Sequence, residues 1–80
     1  MMQVRVRYFA AFRDATGVET EQVDTTAASV GELFGEMVGR FEALQHEPAA
    51  LVAINDELTD WDSAFSEGDE ILFFPPVAGG

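Results

Sequence analysis

The residues most suggestive of chemistry are the last six, Pro75, Pro76, Val77, Ala78, Gly79 and Gly80. Gly80 is expected to present a bare C-terminal carboxylate. Such a group has a pKa of about 3.5 and is ionised at neutral pH, which makes it a poor electrophile. It becomes reactive once activated, most directly as a mixed anhydride with AMP. An activating enzyme must close around the carboxylate and ATP together, and glycine is the residue that lets a backbone approach that closely. A sulfur nucleophile can then displace AMP and leave a thiocarboxylate, whose sulfur is portable. Pro75 and Pro76 stiffen the exit and favour an extended polyproline conformation. At ~3.1 Å per residue the tail reaches roughly 19 Å, enough to thread a narrow channel in another protein. The expected division is a folded domain over residues 1–74 and an extended C-terminal tail over 75–80.

A folded body must hold that tail in place. Residues 3–9 alternate with period two: Val4, Val6 and Tyr8 point one way, Arg5, Arg7 and Phe9 the other. That pattern predicts a strand with one buried face. Residues 10–16 lose the alternation and end at Gly17, which fits a short helical turn closed by glycine. Residues 18–24 resume strand character with acidic residues outward. Ser29 followed three residues later by Glu32 is a capping box. After it Val30, Leu33, Phe34, Met37, Val38 and Phe41 recur at helical spacing and predict a helix over about 30–44, limited by Pro48. Gly31, Gly35 and Gly39 lie off that stripe, and each costs roughly 0.8–1 kcal/mol relative to alanine. They read either as tolerated weakness or as a close contact with another surface. Leu51–Ile54 is a short apolar run before an Asn55-Asp56 turn signal, and a further short strand is possible after it. Glu70–Phe74 is the last strand, ended by the two prolines. One helix with several strands implies an α+β architecture, a mixed sheet curled around a single main helix, with the first and last strands side by side in the middle.

Composition limits what such a domain can do. Eighty residues form one small core, and a deep pocket of roughly 300 Å³ or more leaves little room beside it. An enzyme acting alone is therefore not expected. Fifteen acidic residues against four arginines (Arg5, Arg7, Arg13, Arg40) give a formal charge of -11. That charge disfavours nucleic acid and steers toward a basic partner, or serves solubility. The chain has no cysteine, so disulfides, thiolate metal sites and a cysteine nucleophile are out. No apolar run approaches the roughly 18 residues of a membrane span, and the N-terminus has no signal-peptide core, so the cytoplasm is expected.

Other candidates for chemistry are weaker. His46 is expected in solvent and Trp61 partly buried at the sheet edge. Asp56, Glu57, Asp60 and Asp62 lack the spacing of a twelve-residue calcium loop. Gly31, Gly35 and Gly39 lie inside a helix, which is no place for a phosphate loop. The strand alternation is more informative. If Ile71 and Phe73 face the helix, then Leu72 and Phe74 face away, with Phe9 beside them. Phe9, Leu72 and Phe74 form an expected exposed apolar cluster next to Arg5 and Arg7, a pattern that marks a partner-binding surface. The alternative is a second small core under a loop.

The stretch Phe73-Phe74-Pro75-Pro76-Val77-Ala78-Gly79-Gly80 resembles the C-terminal signature of the molybdopterin synthase small-subunit family, ubiquitin-like sulfur carriers. Tyr8-Phe9-Ala10-Ala11-Phe12-Arg13-Asp14-Ala15-Thr16-Gly17 resembles that family's first strand and following helix. Val52-Ala53-Ile54-Asn55 and Glu67-Gly68-Asp69-Glu70 are similar to further family segments, so the resemblance covers the chain. It implies the β-grasp fold. It implies that Gly80 is adenylated, at the expense of ATP, by an adenylyltransferase akin to the ubiquitin-activating enzyme, and then becomes a thiocarboxylate. It implies insertion of the tail into the large molybdopterin synthase subunit, with Phe9 and Phe74 at the interface, in a heterotetramer of two small and two large subunits. The sulfur would build the dithiolene of molybdopterin on a cyclic pterin phosphate precursor, and the carrier itself would hold no metal and no cofactor. Two alternatives stay open: a ubiquitin-like modifier conjugated to target lysines, and a sulfur carrier for cysteine, thiamine or tRNA thiolation.

Overall fold

The structure, a computed structural model, describes residues 1–76. Its elements run β1 (Met2–Tyr8), α1 (Ala10–Thr16), β2 (Thr20–Thr25), α2 (Val30–Arg40), β3 (Leu51–Ile54), β4 (Glu57–Thr59) and β5 (Glu70–Phe74). The strands form one mixed sheet in the order β2-β1-β5-β3-β4. Among the described residues only β1 and β5 pair in parallel, and they do so at the centre; β1–β2, β5–β3 and β3–β4 are antiparallel. The expected central placement of the first and last strands is what the structure shows.

The alternation in β1 does what period two requires. Val4, Val6 and Tyr8 are buried on one face, and Ile71, Phe73 and Val52 continue that face across β5 and β3. Val30, Leu33, Phe34 and Met37 of α2 lie in the same core. Ser29 caps the helix, its Oγ accepting from the Glu32 amide at 3.2 Å. The helix ends at Arg40, four residues short of expectation. Phe41 takes an extended conformation (φ -111°, ψ 111°), and its ring meets Tyr8 edge-on at 6.0 Å between centroids. Leu44 then enters the core from a turn instead of from the helix. The strand boundaries shift as well: Phe9 has left β1 and stands at the N-cap of α1, and β2 starts at Thr20.

Tyr8 ties three elements together. Its hydroxyl donates to Glu21 Oε2 of β2 at 2.9 Å, and Glu21 Oε1 meets Arg40 Nη2 of α2 at 2.9 Å. Burial, helped by the hydrogen bond to Glu21, pushes the Tyr8 phenol well above its usual pKa. The glycines of α2 divide into two kinds. The Gly31 amide donates to the Trp61 carbonyl at 2.9 Å, and a Cβ at Gly31 would sit 2.9 Å from that same oxygen. Gly31 is thus a close backbone contact, while Gly35 and Gly39 face open space with nothing within 4 Å.

Thermal or chemical denaturation tests both points. Gly35→Ala should raise the unfolding free energy by about 0.5–1 kcal/mol through helix propensity, whereas Gly31→Ala should lower it. For Tyr8 the folded-state pKa is raised, so its contribution is intact below about pH 10, where the unfolded phenol titrates, and is lost as pH rises further. Tyr8→Phe should therefore show a shallower loss of stability above about pH 10 than the parent chain.

Candidate functional site

The tail leaves from the middle of the sheet. β5 is held by β1 on one side and β3 on the other, so its end is fixed by two ladders. The Phe9 amide donates to the Phe73 carbonyl at 3.3 Å, and Phe74 pairs with Leu51. Pro75 and Pro76 follow, half-buried. Neither can donate to a ladder, which ends the strand there. Val77, Ala78, Gly79 and Gly80 lie outside the described residues.

The register builds a groove on the sheet face opposite α2. One row across that face reads Arg7, Leu72, Ala53, Leu58, each paired with the next. The adjoining row brings Phe9, Phe74 and Leu51 together at the root of the tail. Phe9 stacks on Phe74 with centroids 4.5 Å apart and planes 15° from parallel, and Arg7 Cζ lies 5.0 Å over the Phe9 ring. Between Phe9 and Phe74 on one side and Leu51 and Leu58 on the other lies an open groove of about 780 Å³ that runs on to Ala10, Ala11, Pro75 and Pro76.

Local structure explains the groove's shape. Asn55 and Asp56 both take positive φ (51° and 70°), as a two-residue type I′ hairpin turn demands, and this sets Leu58 opposite Ala53. At the other end Ala10 takes a φ of 48°, a conformation that costs a non-glycine residue about 1–2 kcal/mol. That strained turn comes directly after Phe9.

The expected cluster of Phe9, Leu72 and Phe74 is present, with corrections. Leu72 is not exposed: it is 3% accessible and forms the groove floor with Ala53. Flanked by strands on both sides, it is covered by its neighbours even though it points away from the helix. Phe9 and Phe74 are half-buried. Neither arginine lines the groove: Arg7 borders it, lying over Phe9 and paired with Leu72, while Arg5 sits further along β1, opposite Glu70. The outlying members are Leu51 and Leu58, 54% and 64% exposed, which the pattern of β1 and β5 alone does not reach. Their signal was the alternation of Leu51 and Ala53 together with the turn that mirrors it onto Leu58.

Among the described residues the groove carries no set of acid, base and nucleophile. Among the described residues Asp56 is the one carboxylate lining it, and they contain no group of three or more His, Cys, Asp or Glu that could hold a metal ion. His46 is exposed and stands edge-on to Phe34 at 5.4 Å. Trp61 is half-buried on the helix side, stacked on Phe73 at 5.9 Å. What this face can do is bind an apolar surface and present the chain end beside it.

A mixed sheet with a parallel central pair, wrapped on one main helix and delivering its last strand outward, defines the ubiquitin-like β-grasp class. Within that class the chain belongs to the ThiS family, whose model matches residues 6–80. It is 38% identical over 80 residues to the molybdopterin synthase sulfur carrier subunit of Haemophilus influenzae, covering 96% of this chain and 99% of that one. Among solved structures it is similar to SAMP1 of Haloferax volcanii, a small archaeal modifier protein, with 30% identity and a TM-score of 0.82 over 98% of this chain and 99% of that one. It is also similar to a chain in the complex of subunits 1 and 2 of the molybdopterin-converting factor from Helicobacter pylori, with 30% identity and a TM-score of 0.67 over 99% and 100% of the two chains.

Two neighbouring phenylalanines separate the faces experimentally. Phe73→Ala, which empties the core, should cost about 3–5 kcal/mol of unfolding free energy. Phe74→Ala, which removes one half of an open stack, should cost about 1 kcal/mol. Urea denaturation of both variants checks the assignment.

Proposed function

We propose that this chain is the sulfur carrier subunit of a molybdopterin synthase. The observation that carries the reading is the course of β5: a central strand runs straight from the core into Pro75 and Pro76, beside an open apolar groove. That is the arrangement a docking face and a delivery tail require. Similarity along nearly the whole length to the Haemophilus influenzae carrier subunit supports it.

In this reading residues 1–74 dock and residues 75–80 deliver. The Gly80 carboxylate attacks ATP held by a separate adenylyltransferase and forms an acyl adenylate with release of pyrophosphate. A sulfur nucleophile displaces AMP and leaves the thiocarboxylate. The tail then enters the large synthase subunit, where its sulfur passes to the pterin precursor and water restores the carboxylate. The small chain contributes no acid or base to these steps. It binds no cofactor of its own; ATP belongs to the activating partner. Phe9, Leu72 and Phe74, with Arg7, hold the partner while Gly79 and Gly80 reach its active site. The similarity to one subunit of the Helicobacter pylori complex supports a large-subunit partner, and a heterotetramer follows if the large subunit is itself a dimer. No helix among the described residues is long and apolar enough to cross a membrane, which is compatible with work in the cytoplasm.

A second reading has its own support. SAMP1, with a TM-score of 0.82, is a small archaeal modifier protein, so conjugation of Gly80 to lysines of other proteins competes with sulfur transfer. Glycyl-glycine remnants on lysines of unrelated proteins, found by peptide mass spectrometry, would favour the modifier.

Reconstitution tests the carrier reading. With the activating enzyme, ATP and a sulfur donor, the full chain should gain the mass of one oxygen-to-sulfur exchange. A chain lacking Gly80 should not, while melting at the same temperature, since a glycine has no side chain to add to the buried core, whose last described member is Phe73. Loading of the truncated chain, or a matching loss of stability, would count against it.

A further inference from the structure

Arg7 differs from the other arginines in its surroundings. Arg40 is paired with Glu21 at 2.9 Å. Arg5 lies opposite Glu70 on β5 and Gln22 on β2. Arg13 is exposed on α1 and lies over no ring among the described residues. Arg7 lies opposite Leu72 and Thr20, both uncharged, and among the described residues its guanidinium has no ion pair. This is in a chain with fifteen acidic residues for four arginines.

Its geometry is nevertheless well defined. Arg7 is half-buried, with Cζ 5.0 Å over the Phe9 ring, and that ring stacks on Phe74 at 4.5 Å. Phe9 and Phe74 line the groove, and Arg7 stands at its rim, over Phe9 and paired with the groove-floor residue Leu72. Stacking covers one face of the guanidinium and leaves its N–H edge for an acceptor. A planar fork held in this way matches a carboxylate, which can accept two parallel hydrogen bonds.

We infer that Arg7 is a polar latch on the docking face, and that the partner segment seated in the groove carries an aspartate or glutamate that meets it. The inference rests on the docking face argued under the proposed function and adds the partner's chemistry to it. The occupant places an apolar side chain over Leu72 and Ala53 and its carboxylate at the Arg7 end. A phosphate-bearing ligand fits poorly, because the groove is apolar and the chain carries a charge of -11. The same charge makes the latch directional. A partner carboxylate is repelled over most of this surface and accepted at Arg7, so the pair selects one orientation of docking and thereby the direction in which the tail enters.

The test uses the full chain and the large molybdopterin synthase subunit of the same organism, with association and dissociation rates measured at low and high salt. Arg7→Gln should raise Kd about tenfold, mainly through faster dissociation, and make dissociation less sensitive to salt. Arg7→Lys keeps the charge but loses the planar fork, and should recover little of the loss. Should Arg7→Gln melt lower than the parent chain, Arg7→Met keeps an apolar stem over Phe9 and carries the same expectation. If these variants bind with parental rates while Phe74→Ala is weakened, the latch is overturned and the docking face stands. Parental rates for Phe74→Ala as well, or no complex with the unaltered chain, overturn the docking face and the latch together.

Discussion

The parallel pairing of β1 with β5 sets Val6 beside Ile71 and Tyr8 beside Phe73 at the centre of the sheet. A parallel pair needs a long crossover, and here nearly the whole chain is that crossover, from the end of β1 to the start of β5. The last strand is therefore the one most fully flanked, with β1 on one side and β3 on the other. A strand so held cannot fray from its end as an edge strand would, and Phe74 has a fixed place relative to the core. The chain beyond it begins from a rigid origin. Had β5 been an edge strand, the tail's direction would depend on a single ladder.

The two faces of that pair serve different ends. Inward, Val4, Val6, Tyr8, Ile71 and Phe73 are all but inaccessible and meet α2. Outward, the positions that alternate with them form the groove, with Leu72 and Ala53 as floor and Phe9, Phe74, Leu51 and Leu58 as walls. The groove is thus a by-product of the same period-two pattern that makes the core, carried onto the other face by apolar side chains where polar ones are usual. Exposed leucines at 54% and 64% are a cost that a lone domain has no reason to bear, and a partner surface accounts for them. The strained residue Ala10 belongs to the same design, since it turns the chain just after β1 ends at Tyr8, where Phe9 lies flat on Phe74.

Much of this was legible in the sequence, and the parts that were not share a cause. Alternation in 3–9 gave the faces of β1, while the apolar run 71–74 left those of β5 conditional on Ile71 and Phe73 facing the helix; Ser29 and Glu32 gave the start of α2, and Gly17 gave the end of α1. Periodicity says which way a side chain points but not how far its neighbours cover it, so Leu72 read as exposed when two adjacent strands bury it. Pairing is likewise a tertiary fact: Leu51 and Leu58 join the patch only once the Asn55-Asp56 turn fixes their register. The helix reads too long because Phe41 and Leu44 keep helical spacing, yet the core receives both from an extended residue and a turn. Sequence alone does not choose between weakness and close contact for Gly31; the Trp61 carbonyl, brought to it from thirty residues away in the chain, decides for contact.

Carriage of sulfur at Gly80 is the claim on which the roles of groove, prolines and glycines all turn. The most direct measurement is the intact mass of this chain isolated from its own cells grown with ample sulfur. A population heavier by one oxygen-to-sulfur exchange, confined to the C-terminal peptide on fragmentation, is the expected result. The unmodified mass alone, with Gly80 found instead in amide linkage to lysines of other proteins, would contradict it.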